Sequence, residues 1–496
     1  MNNPGMMPMS VAEIAEAVHG RLVAGAIDVN APVATSAFTD SRQIVDGSVF
    51  VAIAGERVDG HDFVPKVGSQ GAVAAVVDHE VEHAGVPQIV VENTVTALGA
   101  LARHNIERRR AEDDAFTVIG ITGSVGKTTT KDLLKSLLSG VGSTVAPVGS
   151  FNNEIGLPLT ALKVNAGTRF LVAEMGANHV GEIANLTSLV SPDIAVVLKV
   201  GVAHLGEFGS PERIAQAKSE IVRGLVPDGV TVLNANDARV SAMRAIAPGD
   251  VVWFGLPQED GAQPSVTAQN VRCDDLDHPS FTLNVDGDRA EVTLGICGQH
   301  NVMNALAAAA VATRLGMSAA QVAAGLSDVK SISPHRMAVS TVRKPETTFT
   351  LIDDSFNANP DSMEAGIDGL LRWRAGQDPH PFRIAVLGAM LELGPDEKTL
   401  HAGVGRYAVE GGVDALVAVG SASDAALDAL AGAMAQGGSE AAADAVTVDW
   451  AHGADEADAM VTRLAEGHDG AVVLLKGSHA SGLSALAEHW QGLAAE

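Results

Sequence analysis

Apolar positions along this chain follow two spacings. From Val11 the run VAEIAEAV recurs at helical intervals and predicts a short amphipathic helix, whereas VFVAI at Val49 and AVAAVV at Ala72 are unbroken runs of strand length. Polar, glycine-containing loops lie between them. A second series opens with FTVIGIT at Phe116 and predicts further strands at residues 170–173, 194–200 and 230–233. Helical patterns occupy residues 127–138 and the stretch PERIAQAKSEIVRGL. A third series begins near SISPHRM and predicts strands at residues 349–352, 384–387, 415–419 and 472–475. Strands alternating with helices at this spacing imply βαβ units and doubly wound parallel sheets, an α/β fold. Residues 440–469, dominated by Ala, Asp and Glu, read as surface helix.

The 496 residues suffice for about three domains of ordinary size. We place them at residues 1–114, 115–332 and 333–496. The run ERRRAEDD from Glu107 is either the first boundary or a solvated helix face. The uncharged stretch 292–313 contains Gln299, His300, Asn301 and Asn304, so it reads as strand, turn and buried helix rather than a membrane span. The first residues lack a basic segment followed by an uninterrupted apolar run, so no secretory signal is expected.

Charge narrows the possible partners. A formal net charge of −27 disfavours a broad nucleic-acid or anionic-membrane surface, so any phosphate must be held locally. Cys273 and Cys297 are the only cysteines; they form no disulfide framework and lack metal-site spacing, which suits a reducing cytoplasm.

GITGSVGKTTT carries the strongest chemical signal. A glycine-rich turn between a strand and a helix points successive N–H groups at phosphate oxygens, and the helix N-terminus adds partial positive charge. Gly123, Ser124 and Gly126 supply the turn, Lys127 can neutralise β/γ-phosphates, and the Thr128 hydroxyl can ligate Mg²⁺, with Thr129 a further nucleotide-binding candidate. The run departs from GxxxxGK[ST], since Ile121 stands at the first glycine position and glycines fall at 120, 123 and 126.

Ligands of open parallel sheets collect beyond the carboxyl ends of strands. RFLVAEMGANHVGE puts Glu174 at such an end and AVVLKVGVAHLGEFGS puts His204 just past another. The pair suits either divalent cations on a triphosphate or plain structural hydrogen bonding. Lys218, in AQAKSEIV, is by itself an ordinary helix lysine. In LIDDSFNANPDSM, Asp353 or Asp354 could contact ribose or metal, or the run could form Asx turns and a helix cap around Pro360.

Taken together, these runs resemble the Mur ligase family, whose GxTGxxGKT pattern is met by Gly120 to Thr128, displaced glycines included. The resemblance implies a uridine-nucleotide domain, a central ATPase with a doubly wound phosphate-loop sheet, and a Rossmann-like C-terminal domain for the incoming amino component. TDSR and VFVAIAGERVDGHDF resemble the first domain, with Ser41 and Arg42 facing the UDP moiety. SFNNEIGLP resembles a substrate loop through Asn152 and Asn153, while Glu174 and His204 match Mg²⁺ positions. Lys218 matches a lysine carbamylated in several members. HNVMNALAA, with Asn301 and Asn304, resembles the nucleotide-base region; Arg336 and Asp353 match nucleotide contacts from the third domain. LIDDSFNANPDSM, and AVLGAMLELG followed by His401, resemble the D-alanyl-D-alanine-adding branch, and the DNPR run of the diaminopimelate-adding branch is absent. Ala389 and His479 depart from that branch, where an acid and an Arg are common.

The implied activity is ATP- and Mg²⁺-dependent ligation of D-alanyl-D-alanine to UDP-N-acetylmuramoyl-tripeptide, in cytoplasmic peptidoglycan precursor synthesis, by a monomer. The acyl phosphate would be the intermediate, with Lys127, Lys218 and His204 as the catalytic set. Competing readings are another Mur or folylpolyglutamate-type ligase, or a phosphate-loop ATPase switch without ligase activity.

Overall fold

The computed structural model describes residues 5–23, 29–31, 33–201, 205–443 and 445–495. Their strands form three sheets in chain order. The N-terminal sheet holds β1 (Arg21–Val23), β2 (Ser36–Phe38), β3 (Ser48–Val51), β4 (Ala72–Val77) and β5 (Gln88–Val90), ordered β1-β5-β4-β3-β2, with only β1 antiparallel to its neighbour.

The nine-stranded central sheet is built from β6 (Thr117–Thr122), β7 (Thr144–Val145), β8 (Phe170–Glu174), β9 (Ile194–Val197), β10 (Val230–Asn234), β11 (Val251–Gly255), β12 (Val266–Cys273), β13 (Pro279–Val285) and β14 (Asp288–Thr293). Its order, β14-β13-β12-β11-β10-β9-β6-β8-β7, puts β6 between β8 and β9, where the direction of winding reverses. The crevice beyond the carboxyl ends at such a reversal is the ligand position of doubly wound sheets. β8, β9 and β10 are buried along their whole length, which explains their continuous apolar sequences. β12, β13 and β14 form an antiparallel extension in which β13 alternates between buried and partly exposed side chains and β14 buries only Val292. Reading long apolar runs did not find it.

The C-terminal sheet has β15 (Ala338–Arg343), β16 (Thr348–Asp353), β17 (Arg383–Gly388), β18 (Ala415–Val419), β19 (Thr447–Ala451) and β20 (Val472–Lys476), ordered β15-β16-β20-β17-β18-β19, with β15 alone antiparallel. Residues 440–469, expected as surface helix, contain the edge strand β19 before the helix Ala454–Ala465. Pairing of Thr447–Ala451 along β18 makes this part extended.

The charge run at Glu107 is no linker. It ends the helix Thr94–Glu112, where Arg109 is buried and donates to the Thr168 carbonyl, while Arg110 pairs with Asp193 at 2.8 Å. On the same helix the buried Asn105 accepts from Met7 N–H and donates to the carbonyls of Ala161 and Val164. One apolar core accordingly runs from the N-terminal sheet onto a face of the central sheet. Among the described residues no helix is long and apolar enough to cross a membrane.

Candidate active site

A cleft of about 940 Å³ opens at the carboxyl end of β6 and is walled on its far side by the C-terminal sheet. Its floor is the turn between β6 and the helix Lys127–Ser139. Gly126 has φ +83°, and a Cβ there would lie 2.2 Å from Asn304 Oδ1, so backbone conformation and close approach both require glycine. No side chain caps the helix, which leaves its first N–H groups for a ligand. Lys127 Nζ donates to the Gly123 carbonyl at 2.9 Å. Burial lowers its pKa, opposed by Glu174 and reinforced by the Arg336 guanidinium.

Glu174 ends β8 with 1% exposure. One carboxylate oxygen accepts from Thr128 Oγ1 and the other from Asn152 Nδ2, each at 2.9 Å. The sequence brings these residues from three separate segments; β8 pairing beside β6 makes them neighbours. Asn153 also lines the cleft, and its Oδ1 accepts from Gly156 N–H at the start of the helix Gly156–Ala161. Asn301 and Asn304 are buried at the cleft margin, joined by a 2.8 Å hydrogen bond, and Asn304 braces the turn at Gly126.

Lys218 is not the solvated helix lysine that residue type alone suggests. It lies on the inner face of the helix Pro211–Arg223 at 2% exposure and lines the cleft, with the Phe208 ring 6.0 Å from its ammonium. Burial, with a smaller contribution from Lys127, brings its pKa down to about 7. His204 lies outside the described residues.

From the C-terminal side, Arg336 reaches over the turn, Nη2 at 3.4 Å from Thr128 Oγ1 and its guanidinium 4.3 Å from the Phe356 ring. Its buried Nε has no hydrogen-bond partner among the described residues. Asp353 does not enter the cleft. It is fully buried and its carboxylate is saturated by His335, Gln491 and Ser355, so it organises the end of β16. The neighbouring acid takes the open position: Asp354 lines the cleft and pairs with buried Lys476 at 2.5 Å. Strand alternation turns consecutive residues to opposite sides; the residues alone left both aspartates open, and the resemblance pointed to Asp353, the one that packing turns away from the cleft. His401 is also structural, accepting from Met390 N–H and contacting the Glu397 carbonyl.

Ser41 and Arg42 lie elsewhere, on the turn Ser41–Gln43 after β2; Arg42 is largely exposed and holds Asp40 at 2.9 Å. Sequence reading missed Asn178, Glu182, Asn185, Lys476 and Asp361 as lining residues. The first three follow the carboxyl end of β8 in GANHVGEIAN, a legible signal; Lys476, which ends a buried strand, gives none.

The arrangement combines an anion-binding turn and lysine, an oxygen-rich wall at Thr128 and Glu174, and a second wall of mixed charge at Asp354 and Lys476. It can hold a polyphosphate against an acceptor group. The sequence model of the Mur ligase middle domain matches residues 121–312, that of the Mur ligase glutamate ligase domain residues 335–479, and that of the Mur ligase family catalytic domain residues 35–106. The UDP-N-acetylmuramoyl-tripeptide–D-alanyl-D-alanine ligase of Mycobacterium tuberculosis is 40% identical, covering 97% of this chain and 98% of its own length. The Escherichia coli enzyme of that name is 34% identical over 85% of this chain and 88% of its own. Among solved structures, MurF from Acinetobacter baumannii superposes with a TM-score of 0.81 at 31% identity, covering 99% of this chain and 100% of its own. MurF ligase from Thermotoga maritima in complex with ADP gives 0.73 at 28% identity, covering 92% and 97%. With matched segments along most of its length and a relative 40% identical over nearly all of it, the chain belongs to the Mur ligase family.

Proposed function

We propose that the chain ligates D-alanyl-D-alanine to UDP-N-acetylmuramoyl-tripeptide at the expense of ATP, in the cytoplasm and as a monomer. Its units would be residues 1–114 for the UDP substrate, 115–332 for ATP and 333–496 for the dipeptide. The observation that carries this reading is the position of Lys127, Thr128 and Glu174 directly across one cleft from Asp354 and Lys476.

A carboxylate resists amines because its carbonyl is deactivated and oxide is a poor leaving group. The tripeptide carboxylate oxygen therefore attacks the ATP γ-phosphorus and ADP departs, giving an acyl phosphate. The dipeptide amine then attacks the acyl carbon, loses a proton, and phosphate leaves from the tetrahedral intermediate. Lys127 and Arg336 flank the transferring phosphoryl group and stabilise its charge, and the remaining rate enhancement is positioning. No covalent enzyme nucleophile is needed.

Thr128 and Glu174 offer the oxygen donors Mg²⁺ prefers, and an unmodified Lys218 ammonium does not. Bound there, the ion would neutralise phosphate charge. The donor set fits it best with Lys218 carbamylated, a modification for which burial supplies the neutral amine. The test is ATP turnover with UDP-N-acetylmuramoyl-tripeptide, with and without D-alanyl-D-alanine, following the product by mass. ADP release independent of the dipeptide, with no ligated product, would refute the reading.

A further inference from the structure

We propose that Lys131 and Asp132 are positioning residues that couple the phosphate-loop helix to both the substrate loop and the connection to the C-terminal sheet. The inference rests on the ligase reading above for its kinetic arm only. Lys131 is fully buried, an unusual place for an ammonium unless every proton is bonded. Its Nζ donates to the carbonyls of Pro147 and Gly149, each at 3.0 Å, and lies 2.7 Å from Asp132 Oδ1. Those two carbonyls and Ser333 Oγ, at 3.3 Å, take its three N–H bonds, and the Asp132 carboxylate is its charge partner. Asp132 completes the junction, its Oδ2 accepting from Ser333 N–H at 2.8 Å.

Three segments therefore meet at the ion pair of buried Lys131 with part-buried Asp132. Lys131 lies four residues beyond Lys127 and three beyond Thr128, on the same helix whose N-terminus receives phosphate. The carbonyls it holds belong to the loop that delivers Asn152 to Glu174. Ser333 lies three residues before Arg336, which reaches Thr128. Any shift of the phosphate-loop helix must move the substrate loop and the Arg336 segment with it, because a buried ammonium cannot abandon its acceptors without a large desolvation cost. Neither residue lines the cleft, so neither is a catalytic residue.

The test uses the full chain, Lys131→Met and Asp132→Ala, with amide hydrogen exchange and steady-state kinetics. In the unsubstituted chain a non-hydrolysable ATP analogue should slow exchange at both 147–153 and 331–336. Lys131→Met should abolish that slowing at 147–153, and Asp132→Ala at 331–336. Lys131→Met should raise the KM for UDP-N-acetylmuramoyl-tripeptide about tenfold while the nucleotide Kd changes far less, and Asp132→Ala should raise chiefly the dipeptide KM. A uniform fall in kcat with unaltered KM values and unaltered exchange would mark a mere loss of folded enzyme and overturn the proposal. So would the absence of any nucleotide-dependent protection in the unsubstituted chain. Should Lys131→Met fail to fold, Asp132→Ala decides: unchanged exchange at 331–336 overturns the coupling. Coupled exchange in a chain that forms no ligated product supports the coupling and refutes the ligase reading.

Discussion

At the scale of single residues, two lysines in one cleft do opposite things with charge. Lys127 sits on the turn that receives phosphate, and Lys127→Ala should lower kcat by at least about 100-fold with little change in melting temperature, since it removes charge at the transferring group and no core packing. Near-normal turnover would reject the assignment. Lys218 has its pKa near 7 through burial, so at lower pH its ammonium form cannot capture CO₂. Ligase activity in bicarbonate-poor buffer should fall as pH drops through about 7 and recover with added bicarbonate. Lys218→Ala should lose most activity, partly restored by small carboxylic acids that occupy the vacated anionic position. In CO₂-free buffer the unfolded chain, with an ordinary lysine pKa, binds a proton that the folded chain has released between about pH 7 and 10.5. Stability from this group therefore rises with pH over that window, and Lys218→Met should flatten the rise in denaturant titrations.

At the scale of elements, the phosphate turn depends on one backbone conformation. Gly126→Ala places a methyl group against Asn304 at a left-handed position, and strain of about 1–3 kcal/mol plus displacement of Asn304 should weaken nucleotide binding at least tenfold by calorimetry. Unchanged affinity would show that the turn tolerates rearrangement. The turn and its helix were legible because a buried apolar strand, glycines and a helical pattern follow in immediate succession. β12 to β14 were not, since their apolar residues alternate and no single stretch is long enough to register. β19 was hidden because its five residues, TVDWA, follow a long Ala-, Asp- and Glu-rich stretch and are too few to stand out from it; pairing on β18 makes them a strand.

At the scale of the whole molecule, the central and C-terminal sheets are held together by a few directional contacts. Lys199 meets Asp361 at 2.9 Å, Gly206 N–H donates to the Glu392 carbonyl, and buried Asp277 receives Arg372 Nε at 2.7 Å. Substrates must still enter, so these contacts should open with a hinge near residues 330–334. Scattering should show a more compact particle with an ATP analogue and the UDP substrate than without; identical envelopes would remove support for closure. Asp277→Ala leaves the partly exposed Arg372 with only the longer Asp368 contact at 3.9 Å, a loss of about 1–3 kcal/mol, and should shift the ligand-free envelope toward the extended form. The sequence by itself determined the α/β class, the phosphate turn and the family resemblance, because each resides in contiguous residues with a fixed local geometry. Only the tertiary structure decided that Asp354 rather than Asp353 meets the cleft, that Lys218 is buried beside Lys127, and that Glu174 holds both Thr128 and Asn152. Those outcomes depend on which face of a strand or helix the packing covers and which distant segments it brings within a few ångströms, and no local pattern along the chain encodes either.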